Sequence, residues 1–285
     1  MKQDVKLLER SISRPQKITK YLLFIVLFAL IDSGFRYAGL GIISIESFIA
    51  SIFSGVFLSI VLGFIFSNMG FRKRTCIGLA WFSLFIVQHL SNTIEAVYFT
   101  NSVPNAAIFI AATVAGLVVT FLEAVLTGIL FKGNFEDASF RVSFFEYYSK
   151  RGFTDWIKRI LLCSMAYFPI YYTFGSIIAP LVLRYYNNPT PGIDLVIPPL
   201  TVIIPLEFLR GFLYVLALLP IISSLKLTNR TMFFCIASFI YIVGAFVPFI
   251  AYSTLPVFLR LIHGSEILAD SIVYGGVMTY LLARP

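Results

Sequence analysis

Residues 47–69 read SFIASIFSGVFLSIVLGFIFSNM, and this stretch decides the fold class. It contains no charged side chain, and a helix needs about 20 apolar residues to cross the roughly 30 Å hydrocarbon layer of a bilayer. A membrane-spanning β-strand would instead alternate apolar and polar residues over about ten positions. The stretch therefore predicts a transmembrane α-helix.

The rest of the sequence has the same character. Of the 285 residues, 59% are hydrophobic and only 13% are charged, whereas soluble domains carry roughly 25% charged residues. Three cysteines in a chain of this length exclude a disulfide scaffold. We predict one transmembrane domain over residues 1–285, an all-α polytopic bundle of about eight helices. The predicted spans, numbered one to eight, are 20–43, 47–69, 76–99, 105–131, 160–183, 198–224, 232–252 and 255–282.

The distribution of Lys and Arg predicts how the bundle is oriented. Eighteen of the 22 basic residues lie at or before the start of span one or after an even-numbered span. Because cytoplasmic loops are enriched in Lys and Arg, we expect a cell-membrane protein with both termini in the cytoplasm. Residues 1–18 would be a cytosolic basic leader, and residues 132–159, which mix aromatic and charged side chains, an amphipathic segment at the membrane interface.

The expected partner is the lipid bilayer. The net charge of +8 is explained by the Lys and Arg residues of the predicted cytoplasmic segments, so it does not predict a nucleic-acid partner. Span two adds a stripe of small residues at every fourth position, a spacing that lets two helices approach closely. The stripe predicts either a packing groove within the chain or a homodimer interface. Its members are Ser51, Gly55, Ser59 and Gly63.

Polar side chains within the predicted spans point to a functional site, because an ionisable group in a bilayer is costly unless it is paired or hydrated. At 1.5 Å of rise per residue, most of them fall at similar depths in spans three, six and eight. We expect span eight to pack against span three, and Arg260 to meet Glu95. The candidate catalytic residues are His89, Glu95, His263, Glu266 and Asp270, and the candidate substrate-binding residues are Asn92, Glu207, Arg210, Arg260 and Tyr274.

A zinc or other divalent metal site is an alternative for the same residues. A catalytic zinc needs three protein ligands and an open position. His89 and His263 could supply two, and one of Glu95, Glu266 or Asp270 the third. The sequence contains no His-Glu-x-x-His motif, so the metal and its ligands stay open at this point.

The stretch Leu206-Glu-Phe-Leu-Arg-Gly-Phe-Leu-Tyr214 resembles part of the first motif of the CAAX-type intramembrane endopeptidases. In that family a Glu pair precedes Arg-Gly-Phe, and glutamates and histidines from several helices activate water. Here one Glu is present, it precedes Arg210 by three residues rather than four, and only His263 is available for the later histidine motifs. The chain is therefore not assigned to that family.

Three functions remain compatible with these patterns. The first is a carrier or proton-coupled permease for a small or anionic solute, favoured by prolines within spans five, six and seven, since transporters use broken helices near the midplane. The second is an intramembrane hydrolase or transferase acting on a lipid-linked or membrane-embedded substrate. The third is a non-catalytic assembly, immunity or sensory protein. A carrier predicts a pocket that continues past Asp270 toward Glu123, whereas an enzyme predicts a pocket closed below Asp270.

Overall fold

The computed structural model describes residues 14–40, 44–133, 139–187, 195–251 and 255–283. Residues 1–13 of the predicted leader, 134–138 of the predicted interfacial segment and the turn at 252–254 lie outside the described residues. Within the described ranges the chain is all-helical, and eight helices are long and apolar enough to cross a membrane, as predicted. Their bounds are Arg14–Leu40, Ile45–Ser67, Lys73–Phe99, Ala106–Leu130, Phe153–Asn187, Leu200–Ser224, Asn229–Tyr241 continuing through Val247–Ala251, and Val257–Ala283.

Short polar motifs start several of these helices. Ser44 accepts a hydrogen bond from the backbone N–H of Ser47, and the Ser47 hydroxyl in turn accepts one from the N–H of Ser44, which closes a capping box before span two. The side chains of Asn105 and Thr228 cap spans four and seven in the same manner. Each cap satisfies an N–H group that has no partner within its helix.

Large apolar side chains lie on the outside of the bundle as well as in its core. Phe24, Phe66 and Phe239 are fully buried where the spans meet. Leu22 and Met165, in contrast, each expose 58% of their surface on the outside of the bundle. A soluble protein rarely exposes large apolar patches, so this outer surface suits hydrocarbon rather than water.

Three spans contain π-helical turns that the sequence patterns did not predict. Phe85–Leu90 interrupts span three, Ile242–Phe246 interrupts span seven, and Thr279–Ala283 ends span eight. A π-turn accommodates an extra residue in a helix and is frequent at functional sites. Prolines at 169 and 180 and at 205 and 220 lie within spans five and six.

The two ends of the bundle differ in their connections. At one end, here called the bridge end, Thr100 after span three pairs with Leu195 before span six in an isolated antiparallel bridge. At the other end, a short helix, Phe140–Ser149, lies between spans four and five within the predicted interfacial segment, and we call it the connecting helix. Span five begins at Phe153, so the end of that predicted segment belongs to the long helix.

The connecting helix is tied to the last turn of span eight. The Tyr147 hydroxyl donates to the carbonyl of Leu282, and the guanidinium groups of Arg151 and Arg159 donate to the carbonyl of Leu281 at 3.1 and 3.0 Å. Burial raises the pKa of Tyr147 above its usual range, so its hydroxyl stays a donor. Carbonyls at a helix end lack partners within the helix, and these three side chains supply them.

The small-residue stripe of span two is covered by span one of the same chain. The Ser51 hydroxyl donates to Asp32 at 2.5 Å, and Asp32 also pairs with Arg36 at 2.8 Å. A Cβ on Gly55 would lie 3.2 Å from the backbone of Ile25, and the ring of Tyr21 covers Gly63. The stripe thus forms a packing groove with span one of the same chain, and the homodimer interface stays a prediction.

Candidate functional site

A cavity of about 470 Å³ lies between spans three, five, six, seven and eight at the bridge end. Exposed Asn101 and Ser102, which follow span three, border its mouth together with Leu195. Span eight borders it down to Asp270, whereas Tyr274, one turn further along, is fully buried and does not line it. The cavity is therefore open toward the bridge end and closed toward the connecting helix.

Arg210 is a buried cation in the wall of this cavity. Its Nη2 lies 2.9 Å from a carboxylate oxygen of Glu95 on span three, and its Nη1 lies 3.0 Å from one of Glu207, one turn earlier on span six. The same Nη2 lies 3.4 Å from the Tyr214 hydroxyl, and the guanidinium carbon lies 5.5 Å from the ring centre of Tyr167. Both terminal nitrogens are thus engaged by protein groups.

His263 and Glu266 form a second polar pair, on span eight. The Nδ1 of His263 lies 2.8 Å from a carboxylate oxygen of Glu266, and the imidazole stacks on Phe249 with 6.2 Å between ring centres. Gly175 of span five leaves room for the carboxylate, because a Cβ there would lie 3.1 Å from the other oxygen of Glu266. The carboxylate fixes the orientation of the ring, which leaves Nε2 as the nitrogen available for chemistry.

Asp270 borders the floor of the cavity, and it is only 2% exposed. Neither of its carboxylate oxygens has a hydrogen-bond partner among the described residues. Buried carboxylates are normally hydrogen-bonded or paired, because burying an unpartnered polar group costs a few kcal/mol. Asp270 is therefore the group in the cavity that most needs an external partner.

Three tyrosines close the cavity below Asp270. The Tyr274 hydroxyl donates to the carbonyl of Gly211 at 2.9 Å, and its ring centre lies 4.9 Å from that of Tyr167 and 6.2 Å from that of Tyr214. A Cβ on Gly211 would come within 2.3 Å of the carbonyl oxygen of Ser164. Spans five and six therefore approach each other backbone to backbone at this level. We call the three residues Tyr167, Tyr214 and Tyr274 the tyrosine floor.

Asn92 joins two of the π-turns beside the cavity. Its amide donates to the carbonyl of Gln88 in span three and to the carbonyl of Gly244 in span seven, both at 2.8 Å. Gly244 permits this approach, because a Cβ there would lie 3.2 Å from the side chain of Val87. A π-turn leaves some carbonyls without their regular α-helical partners, and Asn92 satisfies two of them.

His89 lies outside the cavity, contrary to the prediction of a shared site. It faces span four, where a Cβ on Gly116 would come within 2.8 Å of the Cβ of His89. His89, Asn92 and Glu95 spread over an arc of about 120° of the helix, and only Asn92 and Glu95 line the cavity. Beside His89, the Gln88 amide donates to the buried carboxylate of Glu123 at 3.3 Å, so these residues form a separate polar cluster.

Two further expectations about span eight are wrong. It packs mainly against spans five and seven rather than against span three, and spans three and eight meet instead across the cavity. The cation beside Glu95 is Arg210 rather than Arg260; Arg260 does not line the cavity, and its buried Nε has no partner in the described part of the chain. Glu207 pairs with Arg210 but does not line the cavity. The predicted residues that do line the cavity are Asn92, Glu95, Arg210, His263, Glu266 and Asp270.

Sequence reasoning missed the aromatic walls. Tyr171 and Tyr186 of span five and Phe99 of span three line the cavity. Tyr167 and Tyr171 are four residues apart, and this helical spacing on a span with interior prolines was the available signal. Aromatic residues are so frequent in this chain that the spacing alone did not distinguish a cavity wall from a core or a lipid-facing surface.

The described residues contain no group of three His, Cys, Asp or Glu side chains that could hold a metal ion. The pairing of His263 with Glu266 and the position of His89 beside span four explain why the ligand set considered for zinc does not assemble there.

No family model, curated protein or solved structure matches this chain.

Proposed function

We propose that the chain is a membrane carrier and that the cavity is its solute site. The observation that carries the proposal is a cavity of about 470 Å³ that opens at one end of an apolar bundle and gathers polar side chains from spans three, six and eight. This volume lies within the range of small-molecule sites. With the orientation expected from the basic residues, the mouth at Asn101 faces the outside of the cell.

Interrupted helices around the cavity support a carrier. The π-turn Ile242–Phe246 and Pro248 of span seven border the cavity, and the π-turn Phe85–Leu90 of span three lies directly behind Asn92. Helices bend at π-turns and at prolines, so these positions give the spans points at which a carrier can change between two open states. In this proposal the tyrosine floor is the closed gate of a state that is open only at the bridge end.

Cysteine accessibility tests this proposal. The three native cysteines, Cys76, Cys163 and Cys235, are buried. Replacing each of them by alanine gives a cysteine-free background. Met278→Cys lies below the floor at a fully buried position, and Asn101→Cys marks the mouth as a control. We expect an impermeant maleimide to label Asn101→Cys from the mouth side and Met278→Cys from the opposite side. If Met278→Cys stays unlabelled from both sides under all gradients, the carrier proposal fails.

An intramembrane enzyme is the second candidate, and the closed floor favours it. The cavity ends at Asp270, and a pocket closed below Asp270 is what an enzyme, rather than a carrier, was expected to have. His263, oriented by Glu266 at 2.8 Å, would be the general base. A constant lack of labelling at Met278→Cys, together with a functional loss in His263→Gln, would support this candidate over the carrier.

A further inference from the structure

We propose that the cavity selects a solute with a protonated primary amine attached to an apolar or aromatic part, and without a carboxylate of its own. The proposal rests on the solute site proposed above and names the chemical class of its ligand. Three features of the described residues carry it: the charge balance of the walls, the unpartnered carboxylate of Asp270 and the engagement of Arg210.

Carboxyl groups outnumber basic groups around the cavity. Glu95, Glu266 and Asp270 line it and Glu207 pairs with Arg210 beside it, against one guanidinium and one imidazole. With all four carboxylates ionised, their formal charge exceeds that of the cations by three with a neutral imidazole and by two with a protonated one. A cationic solute would offset this excess, whereas an anionic solute would add to it.

Asp270 specifies the kind of cation. An ionised carboxylate only accepts hydrogen bonds, and neither oxygen of Asp270 receives one from the described residues. A primary ammonium brings three N–H donors and a positive charge to the same point. A quaternary ammonium brings the charge without a donor, so it would leave the oxygens unsatisfied. The unpartnered carboxylate therefore favours a primary amine at the floor of the cavity.

Arg210 excludes a carboxylate in the solute. Its terminal nitrogens already contact Glu95, Glu207 and Tyr214 at 2.9 to 3.4 Å. At the terminal nitrogens a solute carboxylate would have to displace Glu95, whose side chain is 28% exposed, or the fully buried Glu207. The remaining nitrogen, Nε, has no partner among the described residues but is itself buried. The site should therefore discriminate against amino acids that share the same amine and ring.

The walls account for the apolar part of the ligand. Phe99, Tyr171 and Phe249 line the cavity between its mouth and Asp270. Aromatic faces also attract cations within about 6 Å of the ring centre, so they would guide the ammonium group inward. An aromatic ring placed between these side chains would leave the ammonium at Asp270.

The test measures binding of a matched set of probes to the purified protein in detergent by isothermal titration calorimetry. The probes are 2-phenylethylamine, phenylacetamide, phenylacetate and phenylalanine, which share a ring and differ in charge. We expect 2-phenylethylamine to bind at least about tenfold more tightly than the other three, since a hydrogen-bonded charged contact is worth about 1.5–3 kcal/mol. Equal binding of all four, or no binding of the amine, would overturn the proposal.

Variants locate the contact. Asp270→Asn keeps the shape of the side chain and should weaken amine binding at least about tenfold, while Glu123→Gln changes a buried carboxylate outside the cavity and should leave it unchanged. If Asp270→Asn unfolds, Glu266→Gln removes another wall charge and should weaken binding several-fold. An equal loss in Glu123→Gln and Asp270→Asn would place the amine elsewhere and reject the proposed site.

Uptake separates this proposal from the proposed function. Proteoliposomes loaded with unlabelled 2-phenylethylamine should exchange it for labelled amine outside. Specific binding without exchange, together with an unlabelled Met278→Cys, would reject the carrier while retaining the amine site. A labelled Met278→Cys without amine binding would retain the carrier and reject the amine.

Discussion

The two ends of the bundle treat their polar groups in opposite ways. At the connecting-helix end, side chains of Tyr147, Arg151 and Arg159 donate to the last carbonyls of span eight. At the bridge end, Asp270 keeps two buried oxygens without a partner in the described residues. The first arrangement satisfies the end of a helix. The second leaves hydrogen-bonding capacity unused, and a buried unsatisfied group needs an explanation, which the proposed amine would provide.

The largest effect is expected from Arg210→Met, which breaks the ion network of Glu95, Arg210 and Glu207. Glu207 is fully buried and would lose its only cation among the described residues. Removing one partner of a buried ion pair costs about 3–5 kcal/mol, so we expect the free energy of unfolding in detergent to fall by that amount. The double variant Glu207→Gln with Arg210→Met should recover part of the loss. Full stability of the single variant would show that the network contributes nothing.

Gly211→Ala should have the next largest effect on stability, because it changes the contact between spans five and six at the level of the tyrosine floor. The new Cβ would come within 2.3 Å of the carbonyl oxygen of Ser164, and backbone cannot yield as a side chain can. We expect a loss of about 1–3 kcal/mol, typical of overpacking, measured by thermal unfolding. Gly78→Ala is the matched control within a helix, since nothing lies within 4 Å of its Cβ position. A loss of the same size in both variants would argue against tight contact at the floor.

The sequence predicted the helices well because their signal is local. The eight apolar stretches and their order follow from hydropathy alone, and span two began and ended within two residues of its predicted bounds. The π-turns could not be predicted in this way. A π-turn depends on contacts with neighbouring spans, such as the one between Asn92 and Gly244, and these are set by packing rather than by the local sequence.

The candidate site was predicted in part for a similar reason. Depth along a span follows from residue number, so Glu95 and Glu266 were predicted in the outer half and Asp270 near the midplane, and all three line the cavity. The direction that a side chain faces depends on which helices are neighbours, and their order around the bundle is not written in the sequence. His89 was therefore wrongly predicted to share the site. Arg260 was predicted to be the cation beside Glu95, where the structure has Arg210.

Tyr147→Phe tests the satisfied end with a smaller effect. The change removes the donor to the carbonyl of Leu282 and leaves the ring in place. A buried hydrogen bond contributes about 1 kcal/mol, so the free energy of unfolding should fall by about that amount. Tyr98→Phe, at an exposed tyrosine near the end of span three, is the comparison variant. An unchanged unfolding free energy in Tyr147→Phe would mean that this end is not stabilised by its side-chain donors.

Asp270→Asn should have the smallest effect on stability, and with the opposite sign. Removing the charge of a buried carboxylate that lacks a partner lowers the cost of its burial, so we expect stability to be unchanged or higher by up to about 1 kcal/mol. Binding of 2-phenylethylamine should weaken nevertheless, because the proposed contact depends on the charge of Asp270. Thermal unfolding of wild type and variant side by side gives the sign. A clear loss of stability would mean that Asp270 is held by interactions like those of the other end.

The π-turn of span three also sets a phase. One residue of an α-helix corresponds to about 100° of rotation, and a π-turn is the accommodation of one extra residue within six. A one-residue deletion within Phe85–Leu90 would restore regular winding and leave the rest of the span at nearly its present angle, because the π-turn is what absorbs the extra residue. Asn92 and Glu95 would keep their direction toward Gly244 and Arg210. The carbonyl of Gln88, which now accepts from the Asn92 amide, would regain its partner within the helix.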